Sequence, residues 1–391
     1  MKREVVMAID VGTATVKTII AERRKDEAMP YILGTGISPS HGVRRGCVIN
    51  AHDVASAIKN SVKKAYETSD IKPHKAFISI GSTDVEGARS KGSVMVSRAD
   101  HEISENDIKR ALKQGETQLN RDSSSYLLNR DILHVFPISY ALDGEEIIGN
   151  PIGMRGEKLE VDTLFITALS KHINSLIKSM DLAGIEVEDV AADCWAMSQI
   201  LTSEKEKEVG CMLINVGGDT SSIIAFEEGS PISVEVFPIG SHHITYDIAS
   251  GLQIVLPEAE ELKISYGSDV SIKRKLSSII EPRLNDIFEL VDRHLNKIKR
   301  SKLLPAGVIL TGGGTNLKGI DEIARKTLQL PVQLVQPKFP GYSKETTENP
   351  TWSVALGLCL IGLNEGSPPS AFGFGSKIKN GISKIFKNFL P

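Results

Sequence analysis

Small residues and hydroxyls surround one carboxylate near the start of the chain. A β-branched run ends in Asp10, and Gly12, Thr13 and Thr15 form a turn before a second such run. Strand, glycine turn and strand are typical of a β-hairpin. Backbone N–H groups and hydroxyls at its tip could bind a phosphate, and Asp10 could hold a hydrated divalent cation. An ordinary hairpin with Gly12 in its turn explains this motif alone equally well.

Two later stretches repeat the combination of strand, glycine and hydroxyl. Residues 213–222 (LINVGGDTSS) predict a second hairpin, and residues 306–319 (AGVILTGGGTNLKG) end a strand in three consecutive glycines. The ordered set of three motifs resembles the actin, Hsp70 and sugar-kinase ATPase superfamily. The resemblance implies two α/β domains that clamp a nucleotide between paired hairpins, with the triple glycine against the adenosine.

Composition limits the classes of protein to consider. The chain has 391 residues, which is long enough for two domains, and its 41% apolar and 24% charged content is typical of a soluble globular protein. A net charge of −3 and 5% aromatic residues give no reason to expect nucleic-acid binding. The four scattered cysteines suit a reducing cytosol. We expect neither a secretory signal nor a membrane-spanning segment.

The elements around the first hairpin predict an α/β domain. Residues 1–37 predict a meander of strands, residues 51–67 a helix that Asn50 can cap, and residues 76–80 a further strand. Residues 161–168 are expected to resume the same sheet. The charged segment 203–208 is predicted to separate the two large domains.

Residues 82–159 predict an insertion in the first domain. Ser104 and Asp107 form a capping pattern before apolar residues at helical spacing, and strand-like residues 132–141 follow. The insertion could be a lobe of the first domain, but its own helix and strands favour a compact subdomain.

Polar groups of the second half could complete the site. The helix predicted after Gly240 would direct free N–H groups towards a phosphate. His242 and His243 indicate a polar helix start rather than a metal site, because no further ligands lie at useful spacing. Glu260 and Lys263 stand at i, i+3 on another predicted helix. They form either a solvated ion pair or, by the superfamily resemblance, ribose and adenine contacts.

The last residues of the chain predict an amphipathic helix on a tether. Residues 364–375 are rich in Gly, Ser and Pro, which indicates a linker. The segment SKIKNGISKIFKNFLP then carries lysines around one apolar helical face. That face comprises Ile378, Ile382, Ile385, Phe386 and Phe389. Such a helix is typical of a membrane-surface anchor or of a partner-binding helix, and we favour the membrane.

The three motifs together with this tail most resemble the bacterial cell-division protein family FtsA. The resemblance covers the whole chain and is carried by IDVGTATVK, NPIGMRGEKLEV, LINVGGDTSS, GSHHITYDIA, AEELKISYG, IIEPRLNDIF and VILTGGGTNLKGI. It implies an ATP-binding protein that polymerises as actin-like protofilaments at the division septum. It further implies that the tail attaches to the cytoplasmic face of the membrane and that the protein recruits the tubulin-like FtsZ to help assemble the divisome.

The resemblance assigns nucleotide-binding roles residue by residue. The first phosphate motif comprises Asp10, Gly12, Thr13, Ala14, Thr15 and Lys17. The second comprises Asn215, Gly217, Gly218, Asp219 and Thr220. The adenosine motif comprises Gly312, Gly313, Gly314 and Asn316, and the remaining candidates are Gly240, Glu260 and Lys263. ATP with Mg²⁺ is the expected cofactor, with Asp10 holding the ion through water.

The same resemblance places the FtsZ contact on a subdomain within the second half. A long helix predicted over residues 280–299 carries or adjoins basic residues that could pair with an acidic FtsZ segment. These are Arg283, Arg293, Lys297 and Arg300. A solvated helix face is the simpler interpretation of the same residues.

Three departures from the family pattern bear on catalysis. Asn215 stands where an acid is usual, Asp219 where a third glycine is usual, and Asp193-Cys194-Trp195 replaces a stretch rich in Ala and Ser. Asp193 is a candidate general base, although an acid at a helix start more often has a capping role. We therefore expect at most a slow ATPase, with no catalytic residue assigned.

The resemblance implies an α/β, actin-like (ribonuclease H-like) two-domain ATPase fold with an inserted α+β subdomain and a C-terminal amphipathic helix. The predicted division is 1–81 with 160–205 (1A), 82–159 (1C), 206–245 with 305–363 (2A), 246–304 (2B), linker 364–375 and tail 376–391. A sugar or acetate kinase would need a second-substrate pocket, and an Hsp70 chaperone a substrate domain. A pilus-assembly protein of the PilM type shares the insertion, but the amphipathic tail argues against it.

Overall fold

The computed structural model describes residues 4–24, 29–122, 126–266, 270–337, 339 and 348–364. Over these residues the chain builds a five-stranded sheet, a nine-stranded sheet and a small two-stranded hairpin. Two large apolar clusters form the cores against the sheets. Within this described part, no helix is both long and apolar enough to cross a membrane.

The first sheet is built around the strand that carries Asp10. The strands of the first half are β1 (Glu4–Val11), β2 (Thr15–Arg23), β3 (Tyr31–Pro39), β4 (Val43–Arg44), β5 (Cys47–Val48), β6 (Lys75–Ile80), β7 (Glu86–Met95), β8 (Arg130–Leu142), β9 (Glu145–Ile147), β10 (Lys158–Leu169) and β11 (Glu186–Ala192). The order of the five-stranded sheet is β11-β6-β1-β2-β3. Central β1 pairs antiparallel with β2 and parallel with β6, so Asp10 lies at an end of the sheet's middle strand.

The second sheet joins the second half of the chain to the insertion. Its remaining strands are β12 (Cys211–Val216), β13 (Ser221–Glu227), β14 (Ser230–Phe237), β15 (Gly307–Thr311) and β16 (Val332–Leu334). The order is β16-β15-β12-β13-β14-β7-β10-β8-β9. β14 meets β7 of the insertion through the pair Glu235 and Glu86. The sheet of the insertion therefore extends the sheet of the second domain edge to edge.

The helices connect these strands and pack against the sheets. They are α1 (Ala51–Thr68), α2 (Glu105–Asp122), α3 (Ser170–Ala183), α4 (Asp193–Leu201), α5 (Glu204–Val209), α6 (Ser241–Leu252), α7 (Leu256–Ile264), α8 (Val270–Lys297), α9 (Ile320–Leu328) and α10 (Ser353–Asn364). The Asn50 side chain caps α1 by accepting the amide hydrogens of His52 and Asp53. α1 packs so closely on β3 that a Cβ at Gly36 would lie 1.8 Å from the Ser61 carbonyl oxygen.

One prediction about the first half is wrong. Residues 161–168 do not rejoin the first sheet, because β10 pairs with β7 and β8 of the insertion along its length. Alternation along a strand shows which face is buried but does not identify the neighbouring strand. The segment predicted to separate the two large domains is helical: it forms α5, which begins with a capping box between Ser203 and Glu206.

Two predictions about the second half also need correction. α8 begins at Val270 rather than near residue 280, and Pro282 lies inside it. Proline favours the first turn of a helix, so Pro282 suggests a helix start near residue 280, whereas α8 begins at Val270. α10 lies among the residues predicted for the second domain, but it packs against the first sheet and α4. A Cβ at Gly357 would lie 1.8 Å from the Ala196 carbonyl oxygen, and one at Gly362 would contact Val6 and Phe77.

Candidate functional site

A cleft of about 460 Å³ lies between the two glycine hairpins. This volume is within the range of small-molecule sites. Almost all residues predicted to bind nucleotide line it, the exceptions being Asp219 and Gly240. The lining also includes residues that the sequence analysis did not assign to the nucleotide, namely Val11, Gly46, Ser79, Gly81, Asp193, Ser241, His242, Ile244, Ile264, Leu317, Pro350, Thr351 and Val354.

The two hairpins have the same local geometry. In the first, the Gly12 amide donates to the Thr15 carbonyl at 3.1 Å, and in the second the Gly217 amide donates to the Thr220 carbonyl at 2.9 Å. The pair Asp10 and Lys17 of the first hairpin corresponds in register to the pair Asn215 and Ser222 of the second. The hairpins thus present Asp10 and Asn215 at equivalent positions.

The carboxylate of the first hairpin is held by two polar side chains. The Ser79 hydroxyl donates to Oδ1 of Asp10 at 2.8 Å, and Nζ of Lys17 lies 3.8 Å from Oδ2. Lys17 is only 6% exposed. Burial lowers the pKa of Lys17, while the charge of Asp10 opposes that shift. Asp10 therefore faces the cleft in a fixed orientation that suits binding of a hydrated cation.

Asp193 lies at the start of α4 and also lines the cleft. Its carboxylate accepts hydrogen bonds from the Cys194 amide at 2.6 Å, the Ser222 hydroxyl at 2.8 Å and the Asn215 amide at 3.5 Å. Burial raises the pKa of Asp193 to about 6, and the charge of Asp10 acts in the same direction. Asp193 is therefore an acid in the first turn of α4 that also lines the cleft, and its role as a general base stays a prediction.

Asp219 links the two sides of the cleft instead of lining it. Its Oδ2 accepts the Arg45 amide hydrogen at 3.2 Å, and its own amide donates to the Thr13 hydroxyl at 3.2 Å. Its Oδ1 lies 2.8 Å from Nδ1 of His242, and this hydrogen bond lowers the pKa of Asp219. The acid that replaces the expected third glycine is therefore a contact between the second hairpin and the first domain.

The start of α6 does not present free N–H groups to the cleft, so that prediction is wrong. The amides of Ser241 and His242 donate to the carbonyls of Gly217 and Gly218 at 2.9 and 2.8 Å. A Cβ at Gly240 would lie 2.5 Å from the Gly218 carbonyl oxygen. The start of α6 therefore packs against the second hairpin, and its first two amides stabilise that hairpin by hydrogen bonds.

Glu260 and Lys263 form a partly buried network at the cleft rather than a solvated pair. Nζ of Lys263 donates to Glu260 at 2.7 Å, to the Thr245 hydroxyl at 2.9 Å and to the Ser241 carbonyl at 3.3 Å. Lys263 is 9% exposed. Although burial opposes it, hydrogen bonding from Lys263 and Thr245 lowers the pKa of Glu260. The network places one acidic and one basic group where a ribose could contact them.

The triple-glycine turn approaches the second hairpin closely. Gly312 has a φ of 92°, and a Cβ there would lie 2.2 Å from Oδ1 of Asn215. A Cβ at Gly314 would lie 2.4 Å from Cγ1 of Val216. At Gly313 a Cβ would meet only Cγ2 of Thr351, at 3.5 Å, which is ordinary contact. Gly312 and Gly314 therefore serve the fold, whereas Gly313 leaves space in the cleft.

Comparison with protein families assigns the chain. The model "Cell division protein FtsA" matches residues 212–357, and the model "SHS2 domain inserted in FTSA" matches residues 83–167. Cell division protein FtsA of Borreliella burgdorferi is 31% identical over 92% of this chain and 91% of that protein. This chain belongs to the FtsA family. FtsA of Pseudomonas aeruginosa is 28% identical over 93% of this chain and 90% of that protein.

Solved structures confirm the predicted actin-like fold of this FtsA-family chain. The PilM-PilN type IV pilus biogenesis complex matches with a TM-score of 0.69 at 18% identity, covering 93% of this chain and 99% of that one. MreB 5 of Spiroplasma citri bound to AMPPNP matches with a TM-score of 0.50 at 12% identity, covering 100% of both chains. At these identities the matches show the fold alone. The matched SHS2 segment extends to residue 167, in agreement with β10 lying in the sheet of the insertion.

The basic residues predicted to contact FtsZ differ in their surroundings. Arg283 forms a two-point ion pair with Asp247 at 2.7 and 3.0 Å, and Arg300 does so with Glu227 at 2.6 and 2.9 Å. Arg293 and Lys297 are exposed on α8, one turn apart, and Nζ of Lys297 lies 3.7 Å from a carboxylate oxygen of Glu235. Arg283 and Arg300 are thus engaged within this FtsA-family chain, and Arg293 and Lys297 present the more accessible charges.

Other expectations fall on residues that the structure does not describe. The apolar face of the tail (Ile378, Ile382, Ile385, Phe386 and Phe389) and the linker at 365–375 lie outside the described residues. The side chains that the sequence analysis missed, such as Ser79 and Thr351, lie in segments far from the glycine motifs. A hydroxyl at the end of β6, next to the strand that carries Asp10, is the signal that could have identified Ser79.

Proposed function

We propose that this FtsA-family protein binds ATP with Mg²⁺ in the cleft, self-associates and tethers FtsZ to the cytoplasmic face of the membrane at the division site. The observation that carries this proposal is the pair of equivalent glycine hairpins facing one cleft, with the triple-glycine turn at its side. The hairpins supply amides and hydroxyls for phosphates. Family membership supports the cell-division role.

The donor set of the cleft fits a magnesium nucleotide. Mg²⁺ keeps several waters and binds through one or two carboxylates together with substrate phosphates. Asp10 and Asp193 line the cleft, and Asn215 of the second hairpin adds an amide group beside Asp193. When bound, Mg²⁺ neutralises charge on the phosphates. Asp10 would hold the ion through water, and Lys17 would balance the charge of Asp10.

The test of nucleotide binding uses Gly313. Changing Gly313→Leu should fill the space beside Thr351 and weaken ATP binding by about 5- to 100-fold, since overpacking costs on the order of 1–3 kcal/mol. Gly313→Ala is the matched control and should bind nearly as well as the parent, because its Cβ meets only Thr351 at 3.5 Å. Isothermal titration with ATP and Mg²⁺ measures both. Unchanged binding by the leucine variant would place the base elsewhere.

We propose that hydrolysis is slow. Asn215 supplies no charge to the cation, and the Asp193 carboxylate already accepts three hydrogen bonds. A general base must be free to accept a proton from the attacking water. A phosphate-release assay should therefore give a turnover well below ~1 per second, in contrast to ordinary enzymes. Turnover at ordinary enzyme rates would contradict this proposal and would make Asp193→Asn the next variant to measure.

Membrane attachment is assigned to the tail. Burial of its five apolar side chains contributes about 1.5–3 kcal/mol each at best, and each lysine adds about 1 kcal/mol near anionic lipid. Ordering the helix costs roughly 1–2 kcal/mol per residue. One tail is therefore a marginal anchor, and a polymer that presents many tails attaches firmly through avidity.

Co-sedimentation with anionic vesicles tests this assignment. Deleting residues 376–391, or changing Phe386→Glu, should release the protein while ATP binding is retained. Phe386→Leu keeps an apolar side chain and is the control that should still sediment. Blocking polymerisation should weaken attachment even with an intact tail. Sedimentation of the truncated protein at the parent level would show that the tail is not the anchor.

FtsZ recruitment is assigned to the exposed charges of α8. Arg293→Glu with Lys297→Glu should weaken binding of an acidic FtsZ segment in a salt-sensitive manner. Lys59→Glu with Lys63→Glu is the matched control, because these lysines are also exposed at i, i+4, on α1 of the first domain. Fluorescence anisotropy of the labelled FtsZ segment measures both variants. Equal affinity of the two double variants would exclude this surface.

A further inference from the structure

A cysteine, an aspartate and a histidine converge beside the cleft, outside the residues assigned to the nucleotide. Sγ of Cys47 lies 3.5 Å from Nδ1 of His172 and 4.0 Å from Oδ1 of Asp84. Nδ1 of His172 lies 2.5 Å from the same Oδ1. Cys47 belongs to β5, Asp84 to the loop after β6 and His172 to the first turn of α3. Three separate segments therefore bring one sulfur, one oxygen and one nitrogen to a common point.

The arrangement does not suit nucleophilic catalysis by the cysteine. In a proton relay, the histidine uses one ring nitrogen for the nucleophile and the other for the acid. Here Cys47 and Asp84 both face Nδ1 of His172. Burial raises the pKa of the Cys47 thiol to about 11, and the charge of Asp84 acts in the same direction. The thiol thus lacks the activation that a nucleophilic cysteine needs.

We propose that Cys47, Asp84 and His172 bind a transition-metal ion, and that Zn²⁺ is the ion that this donor set fits. Thiolate, imidazole and carboxylate are the three protein ligand types of zinc. A purely oxygen-binding ion such as Mg²⁺ or Ca²⁺ would not select sulfur. Three protein ligands with one position left for water are a common zinc arrangement.

The separations of the ligand atoms can be compared with those of a tetrahedral site. Zinc bond lengths of about 2.3 Å to sulfur and about 2.0–2.1 Å to nitrogen and oxygen place sulfur ~3.5 Å from the other ligands and nitrogen ~3.3 Å from oxygen. The distance of 3.5 Å from Cys47 to His172 already matches. The distance of 2.5 Å from His172 to Asp84 belongs to a hydrogen bond and must open by ~0.8 Å on binding. Side-chain rotation of Asp84 towards Cys47 would also shorten their 4.0 Å separation.

The surroundings orient these ligands and leave access. Oδ2 of Asp84 accepts the Leu169 amide hydrogen at 2.6 Å, which turns Oδ1 towards the other two atoms. Such outer partners are typical of metal ligands. A cavity of about 10 Å³ lies against His172, which is on the order of the space that one water needs. The His172 side chain is 21% exposed, so an ion can enter from solvent.

Binding would fix the hairpin that borders the main cleft. The turn between β4 and β5 carries Arg45, whose amide donates to Asp219 of the second domain, and Gly46, which lines the cleft. Cys47 follows directly, so the ion would hold one side of this hairpin to α3 and to the loop after β6. The inference concerns a site separate from the proposed nucleotide contacts and does not depend on them.

The experiment titrates chelator-treated, tag-free, full-length protein with Co²⁺ and then displaces it with Zn²⁺. We expect one equivalent of Co²⁺ to give a thiolate-to-metal charge-transfer absorption, which Zn²⁺ removes. Cys47→Ser should abolish that absorption. Asp84→Asn and His172→Gln should weaken Zn²⁺ binding by more than ~100-fold, since loss of an outer partner alone costs about 10- to 100-fold. Cys211→Ala and His52→Gln remove the same residue types elsewhere and should leave binding unchanged.

Two results would overturn the proposal. One is the absence of a thiolate absorption in the parent protein at one equivalent of Co²⁺, a measurement that does not depend on any variant folding. The other is Zn²⁺ affinity in Cys47→Ser or His172→Gln equal to that of the control variants, once circular dichroism in chelator shows that all of them are folded.

Discussion

Changing Asp193→Asn should relieve an electrostatic cost that the folded protein carries at neutral pH. Burial raises the pKa of Asp193 from 3.8 to about 6. At 1.36 kcal/mol for each unit of pKa, this difference between the folded and unfolded pKa corresponds to about 3 kcal/mol of unfolding free energy. Because the folded pKa is the higher one, the contribution of Asp193 to stability is fully present below pH 3.8. It falls as pH rises through 3.8 and is lost once pH exceeds about 6.

The size of the effect depends on pH in a way that can be calculated. Between pH 5 and pH 7.5, linkage gives a further loss of about 1.4 kcal/mol from Asp193 in the parent protein. The asparagine side chain of the variant cannot ionise, so the variant should gain that amount relative to the parent over the same interval. Denaturant unfolding at the two pH values, without nucleotide, measures the gain.

Carboxyl ¹³C NMR of aspartate-labelled protein tests the cause directly. Asp193→Asn should remove one signal that titrates near pH 6. Asp189→Asn is the matched control, because burial also raises the pKa of Asp189 to about 6, and Asp189 lies in β11 and does not line the cleft. Addition of ATP with Mg²⁺ should change the titration of Asp193 and leave that of Asp189 unchanged. A stability difference between variant and parent that does not vary with pH would refute the argument.

Two further substitutions test contacts that stabilise the fold. His294 joins α8 to β14, since Nε2 lies 2.8 Å from the Ser233 hydroxyl and Nδ1 lies 2.5 Å from Glu235. His294→Ala should cost about 1–3 kcal/mol at pH 7 in denaturant unfolding. The variant should lose less unfolding free energy at acid pH, because the hydrogen bond from His294 lowers the pKa of Glu235 and its contribution to stability disappears as pH falls. An equal loss at both pH values would contradict this expectation. Asn50→Ala should cost about 1 kcal/mol of stability by uncapping α1, whereas Asn50→Asp keeps a capping oxygen and should be nearly neutral. Thermal unfolding measures both variants, and equal stability of the two would show that the cap contributes nothing.

The parts of the site that the sequence predicted are those whose signal is local. Each hairpin combines a β-branched run with a glycine turn within about ten residues, and both form with matching hydrogen bonds at Gly12 and Gly217. The cap at Asn50 and the ion pair of Glu260 with Lys263 depend on residues two to four positions apart. Such contacts follow from helix geometry and need no knowledge of the rest of the fold.

The parts that failed depend on which elements become neighbours. The pattern of β10 predicts a strand but does not indicate which of the two sheets it joins. The helix α10 is apolar on all sides, so no single face indicates where it packs. Burial of Lys263 likewise could not be read from its spacing to Glu260, because the enclosing groups, Ser241 and Thr245, come from another helix.

Asp219 shows most clearly why departures from a family pattern need the structure for their explanation. A glycine at this position would provide the turn but no acceptor for the Arg45 amide and no partner for His242. Those partners lie 174 and 23 residues away in sequence, and Thr13, which accepts the Asp219 amide hydrogen, lies 206 residues away. The carboxylate thus joins the second hairpin to the turn between β4 and β5. The substitution therefore bears on how the cleft is held, whereas Asn215, which lines it, bears on the charge that a cation would meet.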